Sequence, residues 1–373
     1  MRIGFDAKRL FHNSTGLGHY SRTLIQALLQ LSEDLQIVLF DSKPVKNQLT
    51  YPFFTHPQVE TITLEAPAWY YRSINLSTYS NKEKIEIYHG LSNELPIIKN
   101  TRLKSVVTIH DLLYRFFYDD FSFIDRNIYH FKTKQAIKNA DVIIAISEST
   151  KKSIMESFPV DENKINVIYQ TYDPAFNEPV TNDQIDAVIK KHNLPKSYNY
   201  FVGSVTYRKN LKVILEAMIR QPKDQRLPLV IAGNGTNYLK EMNTFIHQHH
   251  LASYIFHLPH LIRSEVQTLF KNANAVIYPS LGEGFGLPVL EGIAANVPVI
   301  TSNISSLPEA GGDVALYFNP TEPDELVSIL DSLNKVSYLQ FTSEKRKKHL
   351  ERFQPPQTVL KYYQEVYRPM VKN

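Results

Sequence analysis

Ala275-Val276-Ile277-Tyr278-Pro279 runs through Ser280-Leu281 into Gly282-Glu283-Gly284-Phe285-Gly286-Leu287-Pro288-Val289-Leu290-Glu291. The first five residues are a short apolar run of strand length, and the last stretch has a helix start after a glycine-rich turn. Pro288 suits the first helical position, where its missing N–H is not needed. Gly284 and Gly286 permit a tight turn and a close backbone approach. A strand, a glycine turn and a helix in this order predict a parallel sheet with ligands held beyond the strand ends. The amides of Phe285, Gly286 and Leu287 can then face an anion at a helix N-terminus. Glu283 in the turn and Glu291 in the first helical turn would bracket a ligand rich in hydroxyls.

The same alternation recurs on both sides of this stretch. Upstream in the same series lie Tyr198–Gly203, helix-like Leu211–Ile219, Leu227–Ala232, the turn Gly233-Asn234-Gly235, a helix to about His249, and Tyr254–Leu258. Val297–Ser302 follows. An earlier series begins with Arg2–Ala7, the loop Ser14-Thr15-Gly16-Leu17-Gly18, and Tyr20, Leu24, Ile25 and Leu28 at helical spacing. It continues through strand candidates Gln36–Phe40, Val59–Leu64, Ile85–Tyr88, Ser105–Ile109, Asp141–Ile146 (with Ser147 as a helix N-cap) and Lys164–Tyr169. Two such series predict an α/β chain of two doubly wound, Rossmann-like domains. A connector is expected within Tyr172–Ser197, where Pro174 and Glu178-Pro179 interrupt the pattern. The domains are taken as 1–172 and 173–354. Pro355-Pro356 precede a last amphipathic helix, about 355–373.

Composition sets limits. The chain has 373 residues, 43% apolar and 21% charged, which is ordinary for a folded globular protein of two or three domains. With no cysteine it has no disulfide, thiolate metal site or thiol nucleophile. The net charge is +4, with 23 basic and 22 acidic residues to position 200 and 18 and 15 beyond. Neither half carries the concentrated basic face of a nucleic-acid binder. The run Lys345-Arg346-Lys347-Lys348 reads as a solvated helix face. Ile3–Ala7 is too short for a signal segment, and no stretch approaches about 18 continuous apolar residues. A cytoplasmic protein is expected, with contact at the inner face of a membrane left open.

Two further segments bear chemistry. Gly203-Ser204-Val205-Thr206-Tyr207-Arg208-Lys209-Asn210 also lies between a strand and a helix. Arg208 and Lys209 supply the cations a diphosphate needs, and Asn210 is a candidate N-cap. Taken alone this pair would be surface charge; beside the Glu283 turn it becomes a phosphate clamp. Thr108-Ile109-His110-Asp111 places a histidine at a strand end, where it can donate to a hydroxyl or a developing negative charge. Gly16-x-Gly18 departs from a dinucleotide fingerprint because Ser21 stands where the third glycine belongs. There is no Walker A sequence, Gly-x-Ser-x-Gly, His-Glu-x-x-His or Asp-x-Asp, so no metal site for a nucleotide diphosphate is expected.

Gly282–Glu291 resembles the Glu-x7-Glu motif of the family 4 retaining glycosyltransferases. Gly203 with Arg208-Lys209-Asn210-Leu211 is similar to that family's donor-phosphate motif. Ser305-Ser306-Leu307-Pro308-Glu309 with Gly312-Asp313-Val314-Ala315 resembles its following segment. Gly16-Leu17-Gly18-His19-Tyr20-Ser21-Arg22 resembles its acceptor-side loop, and His110-Asp111 its strand-end histidine. Ser204 departs from members that carry a second arginine there.

The resemblance implies a GT-B fold, two Rossmann-like domains facing a central cleft, with the C-terminal helix returning to the first domain. It implies donor contacts by Gly16, Gly18, Gly203, Arg208, Lys209, Glu283, Phe285, Gly286, Leu287 and Glu291, the last on the ribose, with Leu258 and His260 near the base. His110, Lys209 and Glu283 would carry the catalysis. It implies a retaining, metal-independent hexosyl transfer from a nucleotide-diphosphate sugar, with no cofactor, to a saccharide or lipid-linked saccharide. Members with such Arg-Lys-Asn and Ser-Ser-Leu-Pro-Glu segments are often mannosyltransferases, so GDP-mannose is the first choice. A sugar-nucleotide epimerase, a disaccharide phosphorylase and a non-catalytic sugar-nucleotide-binding protein are the alternatives. For the acceptor, Ala68-Trp69-Tyr70-Tyr71 and Tyr114-Arg115-Phe116-Phe117-Tyr118 are aromatic stretches able to touch sugar or lipid.

Overall fold

The computed structural model describes residues 1–13, 16–65, 83–96, 103–235, 237–335 and 343–372. Ala68-Trp69-Tyr70-Tyr71 and Ser14-Thr15 lie outside the described residues. The chain divides into two compact units, residues 1–171 with 353–373, and residues 172–352.

The first unit is built on β1 (Arg2–Asp6), β2 (Gln36–Asp41), β3 (Val59–Thr63), β4 (Ile87–Gly90), β5 (Lys104–Ile109), β6 (Val142–Ala145) and β7 (Ile165–Val167). Among the described residues these pair in parallel in the order β3-β2-β1-β4-β5-β6-β7. Both faces of the sheet are covered, which is why its strands read as continuous apolar runs. On one face Ile3, Phe5, Ile37 and Leu39 pack with Tyr20, Leu24, Ile25 and Leu28 of the helix Gly16–Leu31. On the other, Val38, Phe40, Val107, Ile109 and Ile143 pack with Ala136 and Ile137 of the helix Phe123–Asn139. Ser147 caps the helix Glu148–Ser157, accepting a hydrogen bond from the Thr150 N–H.

Three expectations are corrected here. Gly16-Leu17-Gly18 is not loop but the first turn of the helix Gly16–Leu31. Strand β4 starts at Ile87 rather than Ile85. The terminal prolines do not precede the last helix but open it, since Pro355–Lys361 starts at Pro355, where a missing N–H costs nothing.

Residues 353–372 complete the core of the first unit. Val359, Tyr362, Val366 and Tyr367 are buried with β1 and the helix Gly16–Leu31. A π-helical stretch, Tyr362–Tyr367, spaces the two tyrosines by five residues and so brings them onto one face. The Tyr362 hydroxyl lies 2.8 Å from that of Tyr20, which lies 2.9 Å from Thr108 Oγ1. His89 joins this buried set through Nε2 to Thr108 Oγ1, 2.8 Å, and Nδ1 to the Tyr367 hydroxyl, 2.7 Å. Burial, with a smaller push from His110, lowers the His89 pKa to about 3, so the network is uncharged.

The second unit carries β8 (Asn199–Val202), β9 (Leu229–Ala232), β10 (Ile255–Leu258), β11 (Ala275–Tyr278), β12 (Val299–Ser302) and β13 (Leu316–Phe318). They form a parallel sheet in the order β10-β9-β8-β11-β12-β13. The order reverses between β8 and β11, as it does between β1 and β4 in the first unit, and ligands bind at such reversals. Sequence reading missed β13 and the helices Asn182–His192, Arg263–Asn272 and Pro323–Lys335. The first of these starts inside the expected connector, fixed by a capping box between Thr181 and Gln184. Among the described residues no helix is long and apolar enough to cross a membrane.

Candidate functional site

At the reversal in the second unit, the turn after β8 meets the turn after β11. Tyr207–Lys209 forms a single 3-10 turn that aims both cations the same way. Glu283 Oε1 accepts from Lys209 Nζ at 2.6 Å and pairs with Arg208 Nη1 at 2.7 Å. Arg208 Nη1 also donates to Gly282 O, 2.7 Å, and Arg208 O accepts from Leu281 N, 2.8 Å. The Tyr278 hydroxyl, at the end of β11, donates to Glu283 Oε1 at 3.0 Å and is hydrogen-bonded by Lys209 Nζ. Burial alone would raise the Glu283 pKa. Lys209 and Arg208 overcome that and hold it at about 2. The carboxylate is therefore charged at any ordinary pH, compensated by the buried Lys209 and the half-buried Arg208.

Two serines that sequence reading placed only in a resembling segment shape this turn. Ser305 Oγ donates to Glu283 O at 2.9 Å and accepts from Glu283 N at 3.1 Å. Ser306 Oγ lies 2.9 Å from Glu283 O and 2.7 Å from Phe285 O. The turn ends at Gly286, whose φ of 124° is closed to other residues, and the helix Leu287–Ala294 follows. Pro288 is its second residue, not its first. Glu291 is its fifth residue and not in its first turn as expected, so it does not sit on the dipole's positive end. Burial pushes the Glu291 carboxyl up to about 7, against an opposing effect of Arg263. Asn210 occupies the N-cap position of the helix Leu211–Arg220 without capping it. Its backbone is left-handed, and its side-chain amide instead donates to Pro320 O, 2.8 Å.

Gly203, Arg208, Lys209, Glu283, Phe285, Gly286 and Leu287 thus gather at one reversal. Leu258 and His260 lie at the end of β10, at the sheet edge. Gly233 joins the two places: its N–H donates to Leu258 O, 3.1 Å, and its carbonyl accepts from His257 Nε2, 2.8 Å. A Cβ on Gly233 would stand 2.1 Å from Gly203 O, so glycine is required there. That requirement comes from a contact between two loops and has no local sequence signature.

In the first unit the reversal holds a cavity of about 190 Å³. Arg9, Leu17, Asn93, His110, Tyr129 and Lys132 contribute to its lining. Gly18 lies against the chain before it, where a Cβ would come 1.8 Å from Asn13 O. His110 is buried. Its Nε2 donates to Leu91 O at 2.8 Å, and its Nδ1 accepts from Gln170 Nε2 at 2.9 Å. Burial lowers its pKa to about 4, so the ring is neutral. Both ring nitrogens are engaged, and the ring holds its edge to Tyr20, centroids 4.8 Å apart. A proton-donating role for His110 would first need one of these bonds to break. Tyr114 is buried, while Phe116 and Tyr118 are exposed.

Two family descriptions match the chain in succession. "Glycosyltransferase Family 4" covers residues 14–176 and "Glycosyl transferases group 1" covers residues 184–349. The chain is a group 1 glycosyltransferase of family 4 type. This glycosyltransferase is 27% identical to O-antigen chain mannosyltransferase RfbU of Salmonella typhimurium, over 89% of the chain and 90% of that protein. It is 26% identical to O-antigen chain mannosyltransferase B of Escherichia coli, over 92% and 93%. Its fold matches sucrose-phosphate synthase of Thermosynechococcus elongatus (TM-score 0.77, 16% identity, 100% of both chains). It also matches Anabaena HepE solved with UDP and glucose (TM-score 0.74, 15% identity, 98% of both chains). The two parallel-sheet domains are those of the GT-B fold, and the enzyme acts in glycan biosynthesis. Its substrates are a nucleotide-sugar donor and a saccharide acceptor. The relatives do not favour an epimerase, a phosphorylase or a non-catalytic binder.

Proposed function

We propose that this glycosyltransferase moves a mannosyl group from GDP-mannose, with retention and without a metal, to a lipid-linked saccharide at the inner face of a membrane. The observation that carries the donor site is the convergence of Arg208, Lys209 and Glu283 beside the start of the helix Leu287–Ala294. The mannosyl reading rests on the two O-antigen mannosyltransferases that match along nearly the whole chain.

On this reading a donor rearranges the cluster. Its diphosphate draws Lys209 and Arg208 away from Glu283, and the helix N-terminus adds partial positive charge. Glu283, held ionised, then accepts from hydroxyls of the donor sugar. Glu291 accepts from the ribose, and Leu258 and His260 lie toward the base. The acceptor oxygen bonds to the anomeric carbon from the face the diphosphate leaves. The bond from that carbon to the phosphate oxygen breaks, and the leaving oxygen takes the acceptor's proton. Lys209 and Arg208 stabilise the charge that gathers there. Gly16, Gly18 and His110 belong to the acceptor-side unit, His110 as a neutral ring.

Thermal melting with GDP, UDP, ADP and TDP, with and without magnesium, tests the donor. A ligand at about 100 times its Kd adds about 2.7 kcal/mol to stability. A rise with GDP alone, unchanged by magnesium, is the expected outcome. A rise with another base removes GDP-mannose, and a rise that needs magnesium removes the metal-free mechanism.

A further inference from the structure

Arg208, Lys209 and Glu283 gather where β8 and β11 end. A second cavity, also of about 190 Å³, lies where these strands begin. Asn199 is the first residue of β8, and Pro298 stands just before β12. Gln221 follows the helix Leu211–Arg220, and Leu330 and Leu333 come from the helix Pro323–Lys335. The four residues of β8, about 13 Å of extended chain, separate Asn199 from Gly203. The cavity is therefore no extension of the charged cluster. It also lies at the end of the sheet opposite to that where doubly wound folds ordinarily hold their ligands.

The polar groups of this cavity are amides. Asn199 is only 7% exposed, and its side chain has no hydrogen-bond partner among the described residues. An amide shut away from bulk water and left unpaired is costly, so its partner has to come from within the cavity. Gln221 is buried as well. Its Nε2 donates to Asp331 Oδ1 at 3.3 Å, which leaves its carbonyl oxygen for the cavity. Asn274 Oδ1 accepts from Ser197 Oγ at 2.7 Å, which leaves its NH2 group. Gln225 adds a fourth amide. Spare donors and spare acceptors thus border one space, and a hydroxyl is the group that does both.

The remaining wall is aliphatic and includes Leu227, Leu330, Leu333 and Pro298. Among the described residues neither a charged nor an aromatic side chain lines the cavity. A phosphate or carboxylate would meet no cation there, and a nucleobase would find no ring to stack on. The volume is about six times the share of one water in the liquid, about 30 Å³, and short of the about 300 Å³ at which pockets for drug-sized ligands begin. A pyranose ring matches these limits, with hydroxyls toward the amides and C–H groups toward the leucines and the proline. We infer that this cavity is a binding site for one neutral sugar ring, separate from the transfer site and taken either from a free monosaccharide or from a glycan chain.

The test is methyl NMR of the full chain labelled at leucine, titrated with D-mannose and D-glucose, and with inorganic phosphate and adenine as controls. Saturable shifts of the Leu227, Leu330 and Leu333 methyl signals are expected with a hexose and not with either control. Asn199→Leu should weaken hexose binding at least about 10-fold, because an apolar group of like size replaces the amide. Asn199 is buried, so Gln225→Ala, at an exposed position, is the second variant. It should keep the parent's melting temperature and bind the hexose about 3-fold more weakly or worse. No shift at about 100 mM hexose, where a millimolar Kd is saturated, leaves the cavity to solvent and overturns the site. Equal shifts with phosphate or adenine overturn the neutral-sugar assignment, and so do two variants that bind as the parent does. A linear mannotriose separates the two sources. Tighter binding than mannose assigns the site to a glycan chain, weaker binding to a free sugar, and either result upholds it.

Discussion

Glu283 is the residue on which the proposed donor site turns. Its carboxylate is buried, yet Lys209 and Arg208 hold it ionised with a pKa of about 2. Each of the three therefore secures the state of the others. Lys209→Ala should lower turnover about 100-fold or more if the ammonium meets charge in the transition state. Activity within a few-fold of the parent would remove Lys209 from the chemistry. Glu291 is the contrasting carboxylate. Burial raises its pKa to about 7, so the folded chain keeps a proton that the unfolded chain has lost above the ordinary carboxyl range. Its stabilising contribution is whole below about pH 4 and is lost as pH rises to about 7. Glu291→Gln carries no such proton. Its melting temperature should therefore gain on that of the parent between about pH 5 and about pH 8, and parallel curves would refute the shift. The acidic residues themselves were legible in the sequence, but their opposite electrostatics were not. Those depend on which cations the fold brings within reach.

Elements show the same division. The helices Leu211–Arg220 and Leu287–Ala294 were legible because apolar spacing and terminal residues are local. Their first residues were read less well. Asn210 was taken as a side-chain cap, but Pro320, over a hundred positions away, provides its partner. Gly16 and Gly18 were read as loop because glycine weakens a helix. Here the close approach of Gly18 to Asn13 requires the absence of a side chain in the first turn. The C-terminal segment is held in the first unit by its contacts. Val359, Tyr362, Val366 and Tyr367 are buried in the first unit, and each such side chain contributes about 1.5–3 kcal/mol. Their sum is comparable to the whole stability of a domain, about 5–15 kcal/mol. A chain ending at Arg352 should lose the folded first unit while residues 172–352 remain protease-resistant. Melting like that of the parent would contradict this.

At the scale of the molecule, alternation of strand and helix is written in every short window of the chain. Parallel strands buried on both faces need apolar runs, and crossover helices need an apolar stripe, so local pattern fixes two doubly wound sheets. The glycine turns and the charged residues near the strand ends were legible for the same reason, since each lies within about ten residues of its strand. Strand order could not be read, because the register between β8 and β11 or β1 and β4 joins segments far apart in sequence. By itself the sequence determined the class of fold and the family, and it supplied the residues proposed to hold a sugar nucleotide. The tertiary structure alone decided that Glu283 is compensated and that His110 is engaged at both nitrogens. Proximity between distant segments sets charge state and burial, and no local pattern encodes it.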